Sequence, residues 1–378
     1  MTEPGAAGRS AMPPASSPAP DLATLSQRAA DQVAATWLDT RSEQALLGAL
    51  ILKPEQLKVV KPWLRVSDFF GSHHRMIFTT IDELITARPE ISSTQLAMDL
   101  HERLAPYGIG GPYLHTLMHV CPRPDNAVAY GHMVVEADAR RAVARYTHRL
   151  AETIEVVKDG RGDLSEVLDA ATNVGRIAGQ LKARTLSDGE PTSVQPATFP
   201  VPAPSPERID QDDRLLTLLI NNPNDIVEVA TFLNGTDLAT PFAGQLYDLL
   251  VSMYQSGTPI DVLTVMWAGR RAQILDAGDV SSKDFFRRFD RIPVDVSFVL
   301  AAEIQQAATL EHATAIAGTL TAALADHSVP ISQILHLATS QVGDLHERQR
   351  RHGVPYQVPD DQPPTTQTRQ AASAIGDA

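Results

Sequence analysis

The sequence has 378 residues, a formal net charge of −13, 43% hydrophobic and 5% aromatic residues, and one cysteine, Cys121. The length fits two or three domains, and the negative charge argues against general attachment of the whole chain to nucleic acid. The single cysteine excludes an internal disulfide and a Cys-rich zinc site. No apolar run has the length of a signal sequence or a membrane span, so we expect a soluble, cytoplasmic protein without membrane contact.

Three stretches rich in Pro, Ser, Thr and Ala divide the chain, because they lack the large apolar residues that a packed core needs. We expect residues 1–40 to be a mostly disordered N-terminal tail, residues 184–210 a Pro-rich linker and residues 352–378 a disordered C-terminal tail. Residues 41–183 and 211–351 are then the two folded domains.

The first domain shows helical periodicity throughout. Ser42 is a good N-cap for the first helix, and Pro54 stands where a second helix can begin. After Pro124 a long helix is predicted to about Val157, and a last helix over residues 164–181 returns along it. Strand signals are weak, so the predicted fold class is all-α, with a small helical head and a long helical hairpin in each domain. Shorter helical stripes of the head fall at residues 76–85, 96–104 and 113–118.

The second domain is an internal repeat of the first. A shift of 169 residues places Leu46 on Leu215 and Asp68 on Asp237, and the register needs no gap over about fifty residues. A register of this length predicts two tandem copies of one helical unit. The long helix of the second copy is expected from about residue 294 to about residue 325.

Motifs of the first copy resemble the N-terminal domain of bacterial replicative helicases of the DnaB type. EQALLGALIL begins at Glu43, DFF at Asp68 and HRMIF at His74, and a P-x3-N-x3-Y-x3-V pattern begins at Pro122. The resemblance covers about residues 42–183. It implies mainly structural roles for the family-motif residues Glu43, Leu47, Gly48, Asp68, Phe69, Pro122, Asn126 and Tyr130. The second copy departs from the motif, with Thr217 for Gly48, Ser297 for Asn126 and Ala301 for Tyr130.

In that family the domain precedes a RecA-like motor whose phosphate-binding loop reads G-x4-G-K-[ST]. None of the six lysines of this sequence follows a glycine, and no βαβ alternation is present. The sequence therefore predicts a non-catalytic protein without cofactors.

The resemblance implies a role in DNA replication as a protein-interaction module that contacts a replicative helicase, a primase or a helicase loader. Contact with DNA is then possible through the helicase complex. In the family the hairpins pair into dimers and a ring collar, so self-association through the hairpins is also implied. We expect that two copies on one chain can pair their hairpins intramolecularly.

Two other functions are kept as alternatives. Arg140, Arg141, Arg145 and Arg149 recur at about one helical turn, so the long helix can present a basic face to nucleic acid or to an acidic partner. Ion pairing on a solvated helix face explains the same pattern. The second alternative is a structural oligomerisation scaffold.

A metal-dependent enzyme is the least favoured alternative. His115 and His119 are spaced to share a metal on one helix, with Cys121 two residues further on. The HExxH pattern is missing, however, and the second copy has no equivalent histidines, so we predict no metal site.

Overall fold

The computed structural model describes residues 22–33, 37–185, 203–278, 280–291 and 294–351. The chain divides into two compact units. Of the described residues, unit 1 contains those up to 185 together with Ala313–Val342, and unit 2 contains those from 203 to His312 and from Gly343 onward. Sixteen α-helices and no β-strand occur in these ranges, which confirms the predicted all-α fold with two tandem helical domains.

The first copy, in unit 1, is built from eight helices. They are α1 (Leu22–Val33), α2 (Trp37–Leu52), α3 (Leu57–Val60), α4 (Ser72–Ala87), α5 (Ser93–Leu104), α6 (Gly111–Val120), α7 (Ala127–Lys158) and α8 (Leu164–Thr185). The first was not predicted, and the second begins at Trp37, so Ser42 lies inside that helix and is not its N-cap, as the sequence had predicted; the other six lie close to the predicted positions. Helices α2 to α6 form the head around a core that includes Leu46, Leu50 and Ile77. Helices α7 and α8 form the hairpin.

The second copy repeats this order, but three shorter helices follow its third helix where the first copy has α5 and α6. Its helices are α9 (Pro206–Asn221), α10 (Asp225–Val229), α11 (Pro241–Gln255), α12 (Val262–Arg271), α13 (Ile274–Ala277), α14 (Ser282–Phe289), α15 (Ser297–Ala325) and α16 (Ile331–Arg351). Leu215, the counterpart of Leu46, is fully buried in the core of its head, as Leu46 is in the first. The shared register therefore places equivalent side chains in equivalent cores.

The sequence predicted a mostly disordered tail over residues 1–40 and did not predict helix α1 within it. Its residues Leu22 and Ser26 lie one turn apart and are buried, and α1 packs along α7. The hydroxyl of Ser26 lies 3.0 Å from Nδ1 of His148 on α7. Residues 1–21, 186–202 and 352–378, where most of the predicted tails and linker fall, lie outside the described residues.

Helix α9 begins at Pro206, inside the range expected for the linker. The Ser205 hydroxyl accepts a hydrogen bond from the backbone N–H of Arg208, and proline fits the first helical position because it has no N–H to satisfy. The second copy is therefore folded from a few residues earlier than the sequence predicted.

The apolar side of α7 is covered by other parts of unit 1. Helices α1, α2 and α8 contact it, and Arg140 on α7 donates a hydrogen bond to the carbonyl of Val329. On α8, a Cβ at Gly175 would lie 2.9 Å from Cγ1 of Val342. Residues 313–342, which belong by sequence to the second hairpin, thus pack on the first hairpin within unit 1. No helix in the described ranges is both long and apolar enough to cross a membrane.

Candidate functional site

Asp68 links the hairpin of unit 1 to its head through hydrogen bonds. The residue ends a short 3-10 turn and is fully buried, and its Oδ2 accepts a hydrogen bond from the backbone N–H of Arg65 at 2.8 Å. Arg184 near the end of α8 donates to the same oxygen at 2.7 Å, and Arg141 on α7 donates to the Asp68 carbonyl at 3.1 Å. One aspartate therefore holds both hairpin helices against the head.

Glu43 holds the turn that follows Asp68. Its carboxylate, buried on α2, accepts hydrogen bonds from the backbone N–H of Phe70 at 2.6 Å and of Gly71 at 3.4 Å. Its Oε2 lies 2.5 Å from Nδ1 of His74, whose Nε2 lies 2.7 Å from the hydroxyl of Tyr113. These bonds satisfy a carboxylate that would otherwise be costly to bury.

The remaining family-motif residues of unit 1 fall into a buried and an exposed set. Leu47, Phe69 and Tyr130 are buried, and the side chain of a larger residue at Gly48 would overlap the carbonyl oxygen of Leu117 where α2 crosses α6. Pro122 and Asn126, by contrast, are exposed at the start of α7. The buried members thus sit where a packing role would place them.

Unit 2 repeats the Asp68 arrangement with different donors. Asp237 accepts from the backbone N–H of Asn234 at 2.9 Å, and its carbonyl accepts from Arg208 on α9 at 2.6 Å. Arg348 on α16 lies 3.7 Å from its carboxylate. The buried aspartate again joins the head to the hairpin, but the arginine on its carbonyl comes from the first helix.

The counterpart of Glu43 in unit 2 is Asp212, and it accepts the equivalent hydrogen bond. Its Oδ2 lies 2.6 Å from the backbone nitrogen of Ala239, which corresponds to Phe70, and Arg208 bonds its other oxygen. Burial raises the pKa of Asp212, although the charge of Arg208 acts in the opposite direction.

The four arginines predicted to line one basic face are separated by the structure into two pairs. Arg141 is buried, where it binds the Asp68 carbonyl, and Arg140 is largely enclosed beside Glu136. Arg145 and Arg149 are exposed. Arg141 and Arg145 point only about 40° apart around the helix axis, so the division comes from position along α7: Asp68 and Val329 pack beside Arg141 and Arg140, and Arg145 and Arg149 lie further along the helix.

A cleft of about 430 Å³ opens beside Arg140 in unit 1. Its apolar lining contains Leu38, with 65% of its surface exposed, and Met133, with 49% exposed. Nη1 of Arg140 is enclosed at this cleft without a hydrogen-bond partner in the described part of the chain. The polar lining is completed by Asp39, Ser42, Glu136 and His327. The sequence did not predict this cleft, because its walls come from residues far apart in the chain.

The arrangement of the cleft suits a protein partner. Leu38 and Met133 are exposed there and can bury an apolar side chain of a partner. Trp37, exposed next to Leu38 with the Arg41 guanidinium 5.2 Å from its ring, extends the apolar surface outside the cleft.

The histidines considered for a metal do not form a ligand set with a third residue. The rings of His115 and His119 stack with centroids 6.4 Å apart. Nowhere in the ranges that the structure describes do three His, Cys, Asp or Glu side chains meet in a metal-binding group. Cys121 is buried, and burial raises its pKa.

Comparison with known protein families gives two matches to one family model. Residues 38–136 and 204–283 match the DnaB-like helicase N-terminal domain. The first segment covers the head of the first copy and the start of α7, and the second covers the head of the second copy up to the start of α14; both leave most of the hairpins outside.

Similar curated proteins are replicative helicases. The replicative DNA helicase DnaB of Mycobacterium leprae is 30% identical over 134 residues, which are 35% of this chain and 22% of the relative. That of Haemophilus influenzae is 28% identical over 156 residues, 41% of this chain and 32% of the relative. The chain thus spans less than a third of the length of these relatives. No solved structure matches the chain significantly.

Proposed function

We propose that this chain, two segments of which match the DnaB-like helicase N-terminal domain, is a non-catalytic binding module of the DNA-replication machinery. Its partner is a replicative helicase, a primase or a helicase loader, and it acts in the cytoplasm. The non-catalytic role is supported by the sequence, in which no lysine follows a glycine as a phosphate-binding loop requires.

The cleft beside Arg140 is the observation that carries this proposal. Leu38 and Met133 expose apolar surface in the same cleft, and exposed apolar patches mark sites of interaction. His327 lines the cleft together with residues of α2 and α7. The site therefore depends on residues 313–342 being packed in unit 1, and a single copy of the domain would lack one of its walls.

Binding of purified full-length chain to the replicative helicase, primase and loader of the source organism tests the proposal. We expect micromolar or tighter binding to one of them, and a loss of about tenfold or more in Leu38→Asp and Met133→Asp. Val59→Asp is the matched control, because Val59 on α3 is also exposed but does not line the cleft. Absence of binding to all three proteins contradicts the proposed function, and equal loss in the control contradicts the proposed site.

Direct DNA binding is the second candidate function, and the exposure of Arg145 and Arg149 on α7 favours it. Substitution of Arg140 or Arg141 would disturb internal hydrogen bonds, so the test uses Arg145→Glu with Arg149→Glu. A salt-dependent mobility shift of labelled DNA that this double variant abolishes would support the function. No shift at low salt would exclude it.

Self-association is the third candidate, and the structure limits where it can occur. Residues 313–342 already cover the first hairpin within unit 1, so pairing of hairpins does not require a second molecule. We expect light scattering to give the mass of one chain in the micromolar range. A stable dimer mass would favour the scaffold function instead.

A further inference from the structure

Helix α12 of unit 2 exposes two large apolar side chains one turn apart. Leu263 has 60% and Trp267 63% of its surface exposed, while Val265 and Gly269 on the opposite side are buried in the head. An exposed Leu–Trp pair on a regular helix is costly to leave in water and is a typical anchor surface for a partner.

Two cations flank this pair in the last turn of α12. Arg270 and Arg271 are exposed, and neither forms an ion pair or a side-chain hydrogen bond with any residue that the structure describes. Nearby arginines differ in this respect, since Arg287 pairs with Asp284 and Arg288 with Asp213. The free guanidinium groups thus form a local basic patch on an otherwise acidic copy.

The first copy keeps one of the two apolar residues of this surface, since Thr94 stands where the second copy has Leu263. Met98 on α5 corresponds to Trp267 at the repeat shift of 169 residues, and it is 62% exposed. His101 and Glu102 stand where the second copy has Arg270 and Arg271. Both heads therefore expose a large apolar side chain at one position, and only the second head adds a basic pair.

We propose that the exposed face of α12, formed by Leu263, Trp267, Arg270 and Arg271, binds an acidic peptide segment of a partner protein. Apolar side chains of the segment pack on the Leu–Trp pair, and its carboxylates pair with the two guanidinium groups. The proposal is independent of the cleft in unit 1, and either site can fail without the other.

Protein is favoured over nucleic acid by the same residues. Leu263 offers no flat ring on which a base can stack, so Trp267 is the one aromatic ring of this four-residue face. The negative charge of the surrounding copy also opposes a phosphate backbone.

The test uses full-length protein and fluorescence anisotropy with short labelled peptides. The main probe is a peptide of Asp and Glu with two Leu residues one helical turn apart. A second peptide replaces Leu by Ser, a third replaces the acids by Lys, and labelled oligothymidylate is the nucleic-acid probe. We expect salt-sensitive binding of the main probe and binding at least about tenfold weaker for the Ser and Lys peptides.

Variants locate the binding to α12. Trp267→Ala, and Arg270→Glu with Arg271→Glu, are each expected to raise the Kd of the main probe about tenfold or more, with an unchanged circular dichroism spectrum. Arg287→Glu on α14 is the charge-matched control and is expected to bind as the native chain does. Equal affinity in all variants would overturn the proposal. So would oligothymidylate binding that requires Arg270 and Arg271, because the surface would then be a nucleic-acid site.

Discussion

Arg208 on α9 lies 3.7 Å from Glu311 on α15, and this ion pair reverses the charges of the pair that Asp39 and Arg141 form at 3.8 Å in unit 1. Asp39 and Arg208 are related by the repeat shift of 169 residues. Glu311 immediately precedes His312, which corresponds to Arg141 at the shift of 171 residues that relates the long helices. The same position of the helix that opens each head therefore pairs with the long helix through opposite charges, at neighbouring positions of that long helix.

Arg141 is expected to stabilise unit 1 strongly, because it pairs with Asp39 and also donates a hydrogen bond to the carbonyl of buried Asp68. Arg141→Ala leaves that carbonyl without its donor, so we expect a loss of about 3 kcal/mol in the free energy of unfolding, measured by urea denaturation. Arg149→Ala on the exposed side of α7 is the control, with a change of less than about 0.5 kcal/mol. Similar effects of the two substitutions would contradict the assigned contacts.

Exchange of the charges in unit 1 tests whether the two arrangements are equivalent. The double variant Asp39→Arg with Arg141→Glu places an arginine where Arg208 binds the Asp237 carbonyl in unit 2. We expect it to be more stable than Arg141→Glu alone by about 1 kcal/mol or more. A double variant as unstable as the sum of its single variants would show that the copies have lost this equivalence.

Gly48 is predicted to be required by the close approach of α2 and α6. A methyl group there would overlap the Leu117 carbonyl oxygen, so Gly48→Ala is expected to lower the free energy of unfolding by about 2 kcal/mol. Gly179 on α8 has no atom within 4 Å of an added Cβ, so Gly179→Ala is expected to raise it by roughly 0.5–1 kcal/mol. Thermal unfolding of both variants measures the difference, and a loss in both would refute the steric argument.

The repeat in the sequence predicted much of this architecture. A gapless register requires that a buried position in one copy be buried in the other, as Asp68 and Asp237 are. It also aligns Glu43 with Asp212, and both accept the hydrogen bond of the following turn.

The surfaces could not be predicted in the same way. The spacing of Arg140 and Arg141 shows that they share a helix, but it does not show which neighbour covers them, and Arg140 is held by Val329 from a distant part of the sequence. Helix α1 was missed because it directly follows the Pro-, Ser- and Ala-rich N-terminal segment, and the sequence does not show that its apolar side packs on α7. Leu263 and Trp267 are four residues apart, which is also the spacing of buried residues on a helix, so the sequence did not predict that Trp267 is exposed.

Gln273 is the one non-glycine residue with positive φ that the described ranges contain, and it lies between α12 and α13 with φ of 60°. A side chain with a Cβ is strained in this left-handed region, whereas glycine is not. Gln273→Gly is expected to raise the free energy of unfolding by about 0.5–1 kcal/mol in a urea titration. Gln273→Ala keeps the Cβ and is expected to give no gain, and a gain in Ala equal to that in Gly would contradict the strain.

His312 on α15 is expected to make unit 2 sensitive to acid. Burial lowers the pKa of His312, and the charge of Arg348 adds to this effect, while Asp344 and Asp237 oppose it. Its Nε2 is enclosed without a hydrogen-bond partner in the described part of the chain. The folded state therefore favours the neutral ring, and its protonation is coupled to unfolding.

The sign of the effect follows from the lowered pKa. The stability that His312 contributes is fully present above the pKa of an unfolded histidine, about 6.5, and is lost as the pH falls toward the folded value. Asp212 and Asp213 act oppositely, because their raised pKa values favour the folded state as acid is added. We therefore compare the native chain with His312→Gln in urea titrations from about pH 7.5 to 5. In the native chain the free energy of unfolding should fall more steeply with decreasing pH than in His312→Gln, by up to about 1.4 kcal/mol per pH unit. Parallel plots of this free energy against pH for the two proteins would show that the buried ring is not the acid-sensitive group.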